Sequence, residues 1–335
     1  MIRLPYLVFL GDADAEYGAK TAQGVVFWRP EQCVGQFRLP ACEIDLGLQD
    51  MSFEEAARAG AGTVLVGIAN RGGFFRDTWI EPLRQALEAG LDIASGLHQR
   101  LTSFPQLAEA ARRHGRALHD VRHWSGPPLK LATGERRPGK RVLMIGTDCA
   151  VGKKFTALAV EREMKARGLK ADFRGTGQTG LLIAGEGIAI DAVPADFVSG
   201  AVEQLAPAND PDHWDVIEGQ ASVLHPSFAA VTLGLVHGAQ PDALIVCHDA
   251  GREYVRGLPG RPLPGLNETI EAHLYAARVN NRDVRAAAVS VCTHHLDEAG
   301  ARAALAAAAD ETGLPATDPV RFGAGILVDA LLTQG

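Results

Sequence analysis

Short apolar runs recur along the chain, and each gives way to a segment with helical spacing. Runs at 6–10, 63–67, 91–95, 142–145, 169–174, 215–220, 243–249 and 284–292 read as strands, several of them apolar throughout, as in buried parallel sheets. Apolar positions three and four apart predict helices over 53–59, 79–89, 104–114, 157–167 and 299–312. Ser52 caps the first of these, with Glu54 and Glu55 in its opening turn. Pro194 opens a helix to Leu205, and Asn267 is the expected cap of a helix to Asn280. Strand–helix alternation predicts an α/β fold with parallel sheets. The Pro-, Gly- and charge-rich stretch 126–140 reads as a linker. It divides a Rossmann-like domain at 1–125 from a P-loop NTPase-like, doubly wound domain at 141–335.

The strongest chemical signal follows the run 142–145. Gly146, Thr147, Asp148, Cys149, Ala150, Val151, Gly152, Lys153, Lys154, Phe155 and Thr156 join that strand to a helix. Glycines free backbone N–H groups to face an oxyanion, the helix start adds partial positive charge, and Lys153 adds a full one. The loop departs from the Walker A pattern at two points. Five residues separate Gly146 from Gly152, where that pattern has four, and Lys154 stands where Ser or Thr binds magnesium. A lysine does not ligate a metal, so the loop is expected to hold a phosphorylated ligand without one. The loop spacing resembles that of dethiobiotin synthetase and its P-loop relatives.

Further candidates follow the later strands. Arg174 ends one strand and Arg252 follows another, and both suit substrate carboxylates. Gln178 and Thr179 lie in a Gly-rich loop, 175–180, read as a donor-rich neighbour of the phosphate loop. Asp191 and Asp196 bracket a helix start and suit an amine. Glu218 ends a strand, with Ser222 and His225 just beyond; Glu218, His225 and Asp196 are the candidate bases. A Pro- and Gly-rich segment, 254–266, is expected to form a lid. The adjacent His294 and His295 point to opposite faces of an extended chain and have no third ligand at useful spacing, so no zinc site is expected.

Composition narrows the partners. With 335 residues there is room for two cores. A net charge of −7 gives no support for nucleic acid. No apolar run reaches the ~18 residues of a membrane span. Residues 1–5 lack the core of a signal peptide, and five scattered cysteines read as reduced thiols, so a cytoplasmic enzyme is expected, with a homo-oligomer as the default state.

Together, the Gly-Thr-Asp-Cys-Ala-Val-Gly-Lys run at 146–153, Gly-Thr-Gly-Gln-Thr-Gly at 175–180, the stretch from Asp191 to Asp196, Glu-Gly-Gln at 218–220 with His225-Pro226, and His-Asp-Ala-Gly-Arg at 248–252 resemble a two-domain P-loop family. Its members include D-glutamate N-acetyltransferases. The N-terminal loops 67–73 and 96–98 resemble its partner domain. The resemblance implies acetyl transfer from acetyl-CoA to D-glutamate, with CoA phosphates on the 146–156 loop and no metal. The residues themselves leave two rivals: an Mg-ATP-dependent ligase or kinase similar to dethiobiotin synthetase, and a non-catalytic nucleotide- or CoA-binding module.

Overall fold

The structure, a computed structural model, describes residues 2–13, 16–70 and 72–333. Arg71, within the loop 67–73, lies outside the described residues. The chain forms two compact units. One comprises Met1–Ser125 with Gly177–Ala189, the other Gly126–Thr176 with Ile190–Gly335.

The first unit has five parallel strands, β1 (Tyr6–Gly11), β2 (Cys33–Arg38), β3 (Thr63–Val66), β4 (Asp92–Ser95) and β5 (Leu118–Asp120), in the order β2-β1-β3-β4-β5. Strands β1, β3 and β4 are buried along their whole length, which is why they are legible as apolar runs. Edge strands β2 and β5 are largely half-buried and carry polar residues, so the pattern does not announce them. Helices α1 (Lys20–Trp28), α2 (Phe53–Arg58), α3 (Asp77–Glu88) and α4 (Pro105–His114) complete this part of the unit. Ser52 and Glu55 close a reciprocal capping box at α2. Trp79 and Leu83 of α3 pack with Phe9, Val64 and Ile93 of the sheet in one apolar core.

In the second unit, β6 (Lys140–Gly146) runs into the phosphate loop and α5 (Lys153–Ala166), and β7 (Ala171–Arg174) follows. The chain then contributes α6 (Gln178–Ala184) to the first unit before returning. There Tyr6 Oη donates to the Leu182 carbonyl at 3.0 Å, and the hydroxyls of Thr21 and Thr179 lie 3.4 Å apart. Residues 177–189, which fall inside the stretch read as the second domain, pack within the first unit. The second unit continues through α7 (Val198–Leu205), β8 (Trp214–Ile217), α8 (Ala229–Ala239), β9 (Ala243–Asp249), α9 (Leu266–Ala277), β10 (Arg285–Cys292), α10 (Glu298–Thr312), β11 (Ala316–Thr317) and α11 (Gly325–Leu332).

Its six parallel strands lie in the order β11-β10-β9-β6-β8-β7. Strand order reverses between β6 and β9, and the loop after β6 emerges at this switch point, where open α/β sheets bind ligands. The stretch read as a linker is held against this unit. Thr133 and Gly134 N–H groups donate to Glu203, and Arg137 donates to the carbonyls of Ala206 and Gly238. Helix α9 is capped by Gly265, not Asn267, whose side chain donates to the Glu311 carbonyl instead.

Candidate active site

The phosphate loop is a continuation of β6. Thr147 N–H donates to the Cys247 carbonyl of β9 at 3.1 Å, carrying sheet pairing one residue past the strand. Ala150 (φ 52°) and Gly152 (φ 96°) then adopt left-handed conformations, the first unusual for a residue with a side chain. Such backbone turns successive N–H groups into an anion-binding concavity, and α5 opens at once behind it. Gly152, as N-cap, provides no side-chain acceptor for the first N–H groups of α5.

Asp148 is the hub of the loop. Its carboxylate is fully buried. One oxygen accepts from Cys149 N–H at 2.6 Å; the other accepts from Arg252 at 3.2 Å and from Arg256 N–H at 2.7 Å. Arg252 also donates to the carbonyls of Cys149 (2.6 Å) and Ala150 (2.9 Å) and to Asp249 (2.8 Å). It thus braces the loop from outside. Lys153 Nζ folds back to the Asp148 carbonyl at 2.6 Å. Burial pushes the Lys153 ammonium below the ordinary lysine pKa.

Glu218 directly follows β8, on the other side of β6 from β9, and is also buried. It accepts from Thr176 N–H at 2.9 Å, and Gln220 Nε2 donates to the Thr176 hydroxyl at 2.8 Å, so the carboxylate is fixed in direction. Gly219 brings this strand end against the loop: a Cβ there would lie 1.5 Å from the Met144 carbonyl and 3.0 Å from Lys153 Cδ. His225 is buried with its Nδ1 accepting from Ser227 and Phe228 N–H groups, at 3.1 and 3.3 Å. The ring proton therefore sits on Nε2, which stands 3.4 Å from Asp148 Oδ1. Burial lowers the imidazole pKa, against the pull of Asp148.

Asp148, Cys149 and His225 bring three potential metal donors within 4.8 Å of one another. Their hydrogen bonds oppose that use. His225 turns an N–H rather than a lone pair toward the cluster, both Asp148 oxygens are engaged, and Lys153 and Arg252 bring positive charge. The geometry is that of a hydrogen-bonded network around a buried carboxylate, with two cations beside it.

The structure thus gathers Asp148, Cys149, Lys153, Glu218, His225 and Arg252 in the second unit. Other expected residues are placed differently. Arg174 gives its Nε–H to the buried Asp215 at 2.7 Å and lies 3.6 Å from Asp172, so its charge is balanced within the sheet. Gln178 and Thr179 open α6, in the first unit. Asp191 and Asp196 stand exposed on short 3-10 turns. Within the loop, Val151 is buried and the Thr156 hydroxyl turns inward to Ser290 at 2.8 Å. Lys154 Nζ lies 5.0 Å from the Phe155 ring centroid, a cation–π distance. Sequence reasoning missed the second pair of arginines near the loop, Arg256 and Arg261. Their signal is two cations in the Pro- and Gly-rich stretch after β9.

Known proteins share this organisation. Residues 36–124 match a Rossmann-like DUF1611 N-terminal domain of unknown function, and residues 130–328 match the DUF1611 P-loop domain. A D-glutamate N-acetyltransferase of Tritonibacter scottomollicae is 53% identical over 331 residues, 99% of each chain. The chain belongs to the D-glutamate N-acetyltransferase family, with a DUF1611 domain in each half. Another such relative, from Pseudoalteromonas sp., is 44% identical over 98% of each chain. A crystal structure of a DUF1611 family protein from Anabaena variabilis superposes with a TM-score of 0.87 at 33% identity, covering 99% of this chain and all of that one. Membership fits the two α/β units and the P-loop reading. Among the described residues, no helix is long and apolar enough to cross a membrane.

Proposed function

We propose that the protein transfers the acetyl group of acetyl-CoA to the amino group of D-glutamate. The observation that carries this reading is the similarity, over nearly the full length, to two D-glutamate N-acetyltransferases, at 53% and 44% identity. The loop chemistry agrees with it. CoA carries its phosphates without a bridging metal, and Lys154 takes the place of the magnesium-binding hydroxyl. In this reading the 146–156 loop holds the pyrophosphate, and Lys153 exchanges the Asp148 carbonyl for a phosphate oxygen.

Glu218 is the proposed base. Its fixed, buried carboxylate takes a proton from the substrate ammonium. The free amine attacks the thioester carbonyl, the second amine proton passes to the departing sulfur as the carbon–sulfur bond breaks, and CoA leaves as its thiol. His225 is assigned to positioning, since backbone N–H groups occupy Nδ1 and its Nε2 proton faces Asp148. Arg252 acts through the loop it braces.

Thiol release from acetyl-CoA, measured against a panel of D- and L-amino acids, tests the reading. D-Glutamate should release CoA and L-glutamate should not; release with neither acid removes the proposal. Glu218→Gln should lower kcat on the order of a hundredfold or more while KM for acetyl-CoA stays near wild type.

A further inference from the structure

Two cations near the loop have no part in its internal network. After β9 the chain folds into a tight turn. Tyr254 and Pro262 form an antiparallel bridge, Val255 N–H donates to the Arg261 carbonyl at 2.9 Å, and Leu263 N–H donates to the Glu253 carbonyl at 2.9 Å. Val255 is buried and anchors the turn from below. Arg256 N–H donates to Asp148 Oδ2 at 2.7 Å, so the turn is fastened to the hub of the phosphate loop by backbone alone. The side chains of Arg256 and Arg261 are left exposed. Among the described residues neither has a carboxylate within ion-pair distance, in contrast to Arg252 and Arg174. Both charges nevertheless reach the site: Arg256 acts on the Cys149 thiol of the loop and Arg261 on the His225 imidazole.

Acetyl-CoA presents two separate phosphate groups, the pyrophosphate and the 3′-phosphate of its ribose. One glycine–lysine cradle accommodates the first. The second, close to a dianion, needs exposed cations that are free of counter-acids and held at fixed reach. Arginine suits this task, since its planar fork meets phosphate oxygens two at a time.

We infer that Arg256 and Arg261 grip the 3′-phosphate of the acetyl-CoA donor and make the enzyme discriminate against donors that lack it. This deepens the acetyl-CoA reading above and rests on it. Because the turn is tied down by the backbone N–H of residue 256, replacing either side chain leaves the tether to Asp148 in place.

The test compares acetyl-CoA with acetyl-dephospho-CoA in the wild type, in Arg256→Ala, Arg261→Ala and the double variant, and in the Arg→Lys pair. Direct titration with CoA and dephospho-CoA accompanies the kinetics. In the wild type, loss of the 3′-phosphate should raise donor KM on the order of tenfold to a hundredfold, with kcat changed little. The double alanine variant should treat both donors alike, the lysine pair should recover part of the preference, and added salt should weaken it. An unchanged thermal midpoint establishes that the variants fold. Equal KM for the two donors in an active wild type overturns this inference and leaves acetyl transfer standing. A preference that survives the double variant, or a rise in KM for D-glutamate instead of the donor, also overturns it. If CoA neither binds nor turns over, both this inference and the acetyl-CoA reading fall.

Discussion

Lys153 Nζ lies 2.6 Å from the carbonyl oxygen of Asp148, so the loop's own backbone holds the cation that a phosphate would attract. A buried ammonium on one neutral acceptor is poorly compensated, and burial lowers its pKa accordingly. An arriving phosphate supplies the missing negative charge. The loop is thus built before the ligand comes, with Arg252 and the Arg256 N–H holding its Asp148 in place.

Asp148 should matter for stability more than any other loop side chain. Removing its carboxylate leaves the Cys149 and Arg256 N–H groups and part of the Arg252 fork without an acceptor. Asp148→Ala should cost about 2–4 kcal/mol in urea unfolding. Arg252→Ala should cost less, because the carboxylate keeps its two backbone donors. A change below about 0.5 kcal/mol for Asp148→Ala would contradict this role.

The crossing of α6 into the first unit hangs partly on one hydroxyl. Tyr6 is fully buried and donates to the Leu182 carbonyl at 3.0 Å. Tyr6→Phe keeps the ring and strands that carbonyl, at a cost of about 1–3 kcal/mol. Hydrogen exchange should accelerate first in residues 178–184. Uniform acceleration across the chain, or none, would show that α6 does not depend on this bond.

Acid stability should report on His273. Its Nδ1 is 2.7 Å from the Thr269 carbonyl and its Nε2 accepts from Val223 N–H at 3.3 Å, so the folded protein wants the neutral ring. Burial pushes its pKa down to about 4 from an ordinary 6.5. Between those values the unfolded chain binds a proton that the folded one does not. The contribution is therefore complete above pH 6.5 and is lost as pH falls toward 4, by about 1.4 kcal/mol per pH unit. Unfolding free energies at pH 7 and 5 in wild type and His273→Gln check this. The variant should lose part of the pH slope, and an identical slope would exclude His273 as its source.

Local signals in the chain are enough to locate most of this architecture. Strands β1, β3, β4, β6 and β9 are apolar because both faces are covered, and the phosphate loop keeps its glycines and lysine in one contiguous stretch. What escapes notice depends on residues far apart in sequence. Arg174 looks free until Asp215, 41 residues on, takes its Nε–H. Helix α6 begins inside a stretch with the composition of a turn, Gly-Thr-Gly-Gln-Thr-Gly at 175–180, and owes its place to Tyr6 and Thr21. Arg252 has the right chemistry for a substrate carboxylate, but the fold commits it to the loop carbonyls. His225 shows its dual engagement only when the backbone N–H groups of residues 227 and 228 are placed.

The central claim is that Lys153 and the loop backbone hold CoA phosphates with no divalent ion between them. Calorimetric titration of CoA in the presence of a strong chelator, with wild type and Lys153→Met side by side, tests it most directly. The account predicts metal-independent binding by the wild type and a loss on the order of tenfold to a hundredfold in the variant, whose thermal midpoint stays at or above wild type. Binding that appears only when magnesium is restored, or equal affinity in the two proteins, would contradict it.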